Sequence, residues 1–303
     1  MKVLVTGGSG FVGSYVVREL VKAGKEVLDF DLVSPEQGSS EFVKGDILNF
    51  GQVLKVLEGV DVVCHVAAIG DVYRAEENPR LATEINVLGT VNLLEAARIK
   101  GIKRFIYTST WEVYGDVEDQ VLTEETANKP HHPYNTTKYC GDLMVQCYSR
   151  FYGIPAVILR IGTAYGVGMR DTAVIPLFIN KALKGESITL HGTGKQGRQF
   201  VHARDLGKVF VKVVDSSVTG IFNLAGNELI TVKMIVESVK KKVVSVNIEK
   251  EPARKGDVQP IPISSLKIKK ALGWKPEVSF NQGFEELFEY YKGNLGKGRY
   301  SAR

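Results

Sequence analysis

The sequence predicts an α/β protein: a doubly wound parallel sheet with a second, smaller α/β domain. Three observations predict it. Apolar runs of strand length alternate with helical patterns through the first half. The runs are continuously apolar rather than alternating, as strands covered on both faces are. After about Gly168 the alternation gives way to less regular helical stretches punctuated by glycine and proline. The expected division is 1–168 for the sheet domain and 169–303 for the smaller one, with some later segments returning to the first.

The elements follow in order. Residues 2–6 read as a strand, 13–23 as a helix and 26–30 as the next strand. Then come a strand at 60–66, a long helix at 82–100, a strand at 104–109, a helix at 134–152 and a strand at 157–161. Helical stretches follow at 175–183, 205–215, 232–241 and 281–291, and 293–303 reads as a polar, mobile tail. This order places the smaller domain over the carboxyl edge of the sheet, where ligands of such folds bind.

Composition bounds the function. A chain of 303 residues that is 44% hydrophobic buries a sizeable core and is not a disordered segment. The formal net charge is only +5, thickening at Lys240, Lys241, Lys242, Lys267, Lys269 and Lys270. A nucleic-acid binder concentrates charge more heavily, so these lysines read as a solvated face. A mild surplus suits an anionic small substrate. The odd count of cysteines, Cys64, Cys140 and Cys147, shows no metal-ligand spacing and no disulfide framework, which is the usage of a reducing cytoplasm. The start carries no signal-peptide pattern, and no apolar run approaches the roughly 20 residues of a membrane span.

Directly after the first strand stands Thr6-Gly7-Gly8-Ser9-Gly10-Phe11-Val12-Gly13, opening a helix. A turn without Cβ atoms lets the backbone approach a pyrophosphate, and the helix N-terminus offers free N–H groups to it. The second strand ends at Asp29-Phe30-Asp31, where an acidic residue accepts the adenosine ribose hydroxyls of a Rossmann-type site. Asp31, at the carboxyl end, is the expected ribose ligand, with Asp29 deeper or on the other face. Its charge would repel a 2′-phosphate, which favours NAD over NADP.

Two further signals concern chemistry. Tyr134 and Lys138 stand four apart after Pro133, so on a helix they share a face. A free phenol has a pKa of about 10, and a nearby ammonium favours the phenolate that a general base requires. Tyr107-Thr108-Ser109-Thr110-Trp111-Glu112-Val113-Tyr114-Gly115 begins at a strand's carboxyl end, where hydroxyls face the cofactor crevice. Thr110 there is placed to share a substrate proton with Tyr134.

Taken in this order, these motifs resemble the extended short-chain dehydrogenase/reductase family over nearly the whole chain, in its NAD-dependent nucleotide-sugar epimerase and dehydratase branch. The resemblance implies NAD held by Gly7, Gly10, Phe11, Val12, Gly13, Asp31 and Leu32, with Asp46 and Ile47 at the adenine and Ala67 and Ala68 along the cofactor. Asn86 and Ser109 complete that set with Tyr134 and Lys138, while Thr110, Tyr134 and Lys138 fall on the catalytic positions. Arg198 in Arg198-Gln199-Phe200-Val201-His202 and Arg254 in Arg254-Lys255-Gly256-Asp257 match diphosphate-gripping arginines, a role suited to a permanently charged fork. Glu112 and Thr163 fall among the substrate contacts. Several positions depart from the family: Thr163 stands in place of an asparagine, Gln199, Arg204 and Ser264 in place of acids, and Trp111 where dehydratases carry an acid.

The resemblance implies 4-epimerisation of a UDP-hexose of the UDP-glucose and UDP-galactose type, through a transient 4-keto intermediate. Glu112 keeps open a UDP-glucuronate decarboxylase or a nucleotide-sugar 4,6-dehydratase, and a redox-inactive NAD-binding scaffold is the non-enzymatic rival. The resemblance also implies a homodimer built from two helices per subunit, including 82–100 and 134–152.

Overall fold

The computed structural model describes every residue except 37, 39, 118–120, 254–260 and 296–303. Its strands are β1 (Lys2–Thr6), β2 (Glu26–Asp31), β3 (Glu41–Lys44), β4 (Val62–His65), β5 (Arg104–Thr110), β6 (Ala156–Ile161), β7 (Thr163–Tyr165), β8 (Ile188–His191), β9 (Gly197–His202), β10 (Gly220–Leu224), β11 (Leu229–Thr231) and β12 (Ile248–Glu251). The main sheet runs β10-β6-β5-β4-β1-β2-β3, with every pairing parallel. It is a Rossmann-like doubly wound sheet.

Successive side chains of a strand point to opposite faces, and both faces are covered. Val3, Val5, Val62 and Cys64 enter one core while Leu4 and Val63 enter the other. That is why the strands read as unbroken apolar runs. The helices are α1 (Phe11–Lys22), α2 (Phe50–Val56), α3 (Val72–Glu77), α4 (Pro79–Thr83), α5 (Gly89–Lys100), α6 (Pro133–Tyr152), α7 (Val174–Leu183), α8 (Ala203–Val214), α9 (Val232–Lys240), α10 (Leu266–Leu272) and α11 (Phe280–Asn294). Helices α1 and α8 cover the first face, and α2, α5 and α6 the second. A Cβ at Gly207 would stand 2.6 Å from the Tyr15 carbonyl oxygen, so the absent side chain is what lets α8 lie so close to α1.

From β1 the chain winds outward through β2 and β3; from β4 it winds the other way through β5, β6 and β10. The reversal leaves a crevice at the carboxyl ends of β1 and β4, the expected ligand site. A three-stranded sheet, β11-β9-β7, and the parallel pair β12-β8 are separate from the main sheet. They share a third core with α7, α9 and α11 that includes Phe178, Phe200, Phe284, Leu287 and Phe288. Among the described residues, no helix is long and apolar enough to cross a membrane.

Several boundaries differ from the sequence expectation for identifiable reasons. The first helix starts at Phe11 rather than 13, because extended Gly10 caps it and Gly13 lies in its first turn. The helix expected at 82–100 is three pieces: α4, begun by the Asn78 cap and Pro79; a wide π turn at Glu84–Leu88; and α5. The helix α11 continues to Asn294, so the polar end begins later than 293. Strand β3 lacks a continuous apolar run, its side chains being half-buried or exposed, and no run of residues marks it.

Candidate active site

The turn after β1 is built on missing side chains. Gly7 adopts φ +71°, a left-handed conformation natural to glycine, and its N–H donates to the Phe30 carbonyl at 3.0 Å. A Cβ on Gly13 would stand 1.9 Å from the Gly7 oxygen, and one on Gly7 would stand 2.7 Å from the Ala67 backbone. Gly10 is also tight, with its N–H donating to the Gly7 carbonyl at 3.1 Å. The turn, the first turn of α1 and the end of β4 therefore close on one another at the switch point. Phe11 and Val12 diverge there, Val12 toward the main sheet and Phe11 toward the third core.

Ser9 ties the turn to β2. Its N–H donates to Asp31 at 3.2 Å and its hydroxyl to Asp29 at 2.9 Å. Both carboxylates thus lie on one side of β2, Asp29 deeper and Asp31 at the partly open end, followed by exposed Leu32. Burial pushes the Asp29 carboxyl up to about 6, against the Ser9 hydrogen bond that holds it down. Asp46 caps its own loop by accepting from the Leu48 N–H at 2.9 Å. Asn92 pins the same loop by donating to the Ile47 carbonyl at 3.0 Å, and Ile47 is buried against Gly89. A Cβ-free cradle, a helix N-terminus and a carboxylate at the end of β2 suit a dinucleotide.

The π turn in the helix after Pro79 gives Asn86 its place. Asn86 accepts from the Ile69 N–H at 2.8 Å and donates to the Ile69 carbonyl at 3.1 Å and the Thr137 hydroxyl at 3.0 Å. It clasps the loop after β4, which holds half-buried Ala67 and Ala68, to the start of α6. Replacing Asn86 with Ala leaves three buried partners unmet and is expected to cost about 2–4 kcal/mol, read as a lower denaturant midpoint at unchanged slope. An unaltered midpoint would refute the clasp.

Next to it His65 lies between two hydroxyls, Thr6 at 2.8 Å from Nδ1 and Thr90 at 2.9 Å from Nε2. Thr90 donates its own proton to the Asn86 carbonyl at 2.7 Å, so the network assigns the imidazole proton to Nε2. Burial, with the Lys138 charge adding, keeps this imidazole neutral far below its ordinary range.

Thr110 ends β5 and caps the short 3₁₀ helix Trp111–Tyr114, accepting from the Glu112 N–H at 3.2 Å. Across from it α6 begins with a reciprocal cap: His132 Nδ1 accepts from the Tyr134 N–H at 3.3 Å, and Asn135 accepts from the His132 N–H at 2.8 Å. Tyr134 packs, as does Ile85, against the buried cluster of Ile69, Ala75 and Ala82. Burial raises its phenol above the ordinary range and Glu112 adds to that, while the hydrogen-bonded Thr110 hydroxyl and Arg170 act the other way. Lys138, one turn on, is buried with its ammonium 4.3 Å from the Tyr107 ring centre. Burial brings it down to about 8, opposed by Asp142.

Thr110 and Tyr134 thus meet, with Lys138 on the same helix face. Ser109 is buried with its hydroxyl beside Asp142. Glu112 is half-buried; burial raises its carboxyl, with Arg198, His132 and Arg170 opposing. Arg198, on β9, holds its guanidinium 5.5 Å from the Trp111 ring centre. Thr163 opens β7 opposite Phe200, and Arg254 lies outside the described residues. Two of the departures from the family pattern are absorbed by packing. Gln199 accepts from the Ile263 N–H and donates to the Gly226 carbonyl, and Arg204 grips Glu286 with both contacts under 3 Å, at 2.9 and 2.8 Å.

Sequence reasoning missed Arg170, whose charge acts on both Tyr134 and Glu112 and which pairs with Asp71 at 2.8 Å. It stands in the loop after β7 shaped by left-handed Gly166 and Gly168, and those glycines were its one sequence signal. It also missed the buried pair of Asp142 and Arg160, 3.0 Å apart, signalled only by the position of Asp142 four residues beyond Lys138.

Such a site can move a proton on and off a substrate hydroxyl beside a dinucleotide. A family model described as the NAD dependent epimerase/dehydratase family matches residues 3–225. The chain is 32% identical to dTDP-D-glucose 4,6-dehydratase of Mus musculus over 97% of this chain and 89% of that protein. It is 33% identical to a putative UDP-glucose 4-epimerase of Methanocaldococcus jannaschii over 96% and 99% respectively. The structure of UDP-glucose 4-epimerase from Thermus thermophilus, solved in complex with NAD, superposes with a TM-score of 0.89 at 30% identity, covering 97% of this chain and 100% of that one. The glycine turn, β5 and α6 all fall within the matched region, and the chain belongs to the NAD-dependent epimerase/dehydratase family, with NAD as its cofactor.

Proposed function

We propose that this enzyme epimerises a UDP-hexose at C4, interconverting sugars of the UDP-glucose and UDP-galactose type. The observation that carries the reading is the Thr110 hydroxyl beside Tyr134, followed in the chain by Trp111, a side chain with no exchangeable acid. Inverting one carbon needs a single group that takes a hydroxyl proton and returns it. Eliminating water needs a further acid for the departing hydroxyl, and Trp111 supplies none. NAD, when bound, supplies the acceptor and donor of the C4 hydride.

The chain's own residues do the rest. Tyr134 takes and returns the C4 hydroxyl proton, Thr110 holds the same oxygen through a hydrogen bond, and Lys138 favours the phenolate. Gly7, Gly10, Gly13 and Asp31 hold the dinucleotide. Arg198 grips the diphosphate, so the sugar ring is left free to turn over between the two half-reactions. The sheet domain, 1–168, would carry the cofactor and 169–303 most of the substrate contacts. Exposed Ile99, Leu143, Phe151 and Tyr152 on α5 and α6 support a homodimer through those helices, and the three free cysteines suit a cytoplasmic enzyme.

One observation favours a second reading. Glu112 is half-buried with its carboxyl raised and acts on the Tyr134 phenol, as an acid in a dehydratase or decarboxylase would. Product analysis separates the two. The NAD-loaded enzyme is incubated with UDP-glucose, dTDP-glucose and UDP-glucuronate, and products are followed by mass and anomeric proton NMR. UDP-galactose at unchanged mass is the expected outcome. Loss of water or carbon dioxide from any of the three, with no interconversion of UDP-glucose, would overturn the epimerase assignment.

A further inference from the structure

Strand β2 carries a carboxylate that the sheet itself does not need. Asp29 is 1% exposed and stands between buried Leu28 and Phe30. The groups acting on it are Ser9, Asp31 and Gly8, none of them a cation. A buried carboxylate without a cation costs stability, so an apolar residue would serve the strand better. Gly8 leaves room for it, since a Cβ there would stand 2.3 Å from Asp29 Oδ1. What Asp29 does reach is the turn after β1. Its Oδ2 accepts from the Ser9 hydroxyl at 2.9 Å, and the N–H of the same Ser9 donates to Asp31 Oδ2 at 3.2 Å. Asp31 Oδ1 accepts from the Val33 N–H at 3.2 Å, so Asp31 is held from both sides.

We propose that Asp29 is a second determinant of the choice of NAD over NADP: it anchors the turn residue that orients Asp31, and it adds a negative charge behind the ribose end of the site. The inference rests on the reading of Asp31 as the ribose ligand. NADP carries a phosphate in place of the 2′-hydroxyl that Asp31 would accept. Two residues along a strand span only roughly 6.5 Å, so Asp29 lies close behind Asp31. A charge buried at that depth is screened far less than one on the surface. Asp31 is therefore not the sole source of repulsion at the end of β2. Burial pushes the Asp29 carboxyl up to about 6, so it is ionised above neutral pH.

The test reads the bound dinucleotide directly. The full-length enzyme is equilibrated at about pH 7.5 with NAD and an excess of NADP, free nucleotide is removed, and the bound nucleotides are released and quantified. Asp29→Asn keeps an acceptor for Ser9 but not the charge, and the bound NAD:NADP ratio is expected to fall about tenfold. Ser9→Ala cuts the link and leaves both charges, so it is expected to weaken both nucleotides alike and to keep most of the ratio. Asp29→Val is expected to lose at least as much of the ratio as Asp29→Asn while unfolding at the same or a higher denaturant concentration, an outcome that a merely structural Asp29 would not give. Should Asp29→Asn fail to fold, Asp29→Val takes its place, with Ser9→Ala separating the lost link from the lost charge. A folded Asp29→Asn with the parent's ratio overturns the proposal, and a lowered ratio in Asp31→Asn then leaves the ribose reading standing. A parent ratio in Asp31→Asn as well removes both.

Discussion

Tyr134→Phe is expected to lower kcat by roughly 10²–10⁴-fold while leaving fold, NAD binding and KM nearly unchanged. Tyr134 packs against the cluster of Ile69, Ala75 and Ala82, and Phe keeps that packing. Its backbone N–H still meets the His132 cap. What is lost is the phenol oxygen beside Thr110, the atom proposed to take the substrate proton. The parent enzyme's pH profile follows from the same site. Burial raises the phenol, so the active phenolate gains with rising pH, while Lys138, brought down to about 8, stops supporting it above that value. Turnover is therefore expected to rise through neutrality and level or fall above about pH 8, and Tyr134→Phe is expected to lose the rising limb. Steady-state kinetics from pH 6 to 10 check both, and full activity in the phenylalanine variant would end the proton-transfer role.

Gly13→Ala is the second large effect, and it acts through the backbone. The new methyl would stand 1.9 Å from the Gly7 carbonyl oxygen and 2.8 Å from the Gly8 backbone, and no side chain can swing aside to relieve it. The turn must open, or α1 must lift from β1. We expect about 3 kcal/mol of destabilisation and loss of the thermal stabilisation that excess NAD confers. Gly24→Ala is the control. Gly24 has a left-handed φ of +73° but open space around its Cβ position, so it is expected to cost only about 1–2 kcal/mol of backbone strain and to leave the NAD response intact. Thermal melts with and without NAD measure the contrast, and an undiminished NAD-induced rise in Gly13→Ala would contradict the cradle.

Local chemistry made the first half of the site readable. Gly7 to Gly13, Asp31, and the four-residue step from Tyr134 to Lys138 sit within single turns or at the ends of single elements, where residue type and spacing dictate conformation without reference to the rest of the chain. The apolar runs of β1, β4, β5 and β6 were legible for the same reason, because burial on both faces leaves few polar positions in the middle of the strand. Strand β3, half-exposed and without such a run, gave no comparable signal.

The sequence by itself determined the sheet, its covering helices and the residue types that a dinucleotide and a proton acceptor require. Only the tertiary structure decided what surrounds them. Arg170 comes to Tyr134 from a loop beyond β7, Asp142 is paired by Arg160 from β6, and Asn86 faces Ile69 because a π turn rotates it inward. The physical reason is range. Spacing along one helix or strand is set by backbone geometry a few residues deep, whereas burial, dielectric and charge at a side chain are set by whichever distant segments pack against it, and those are chosen by the fold as a whole.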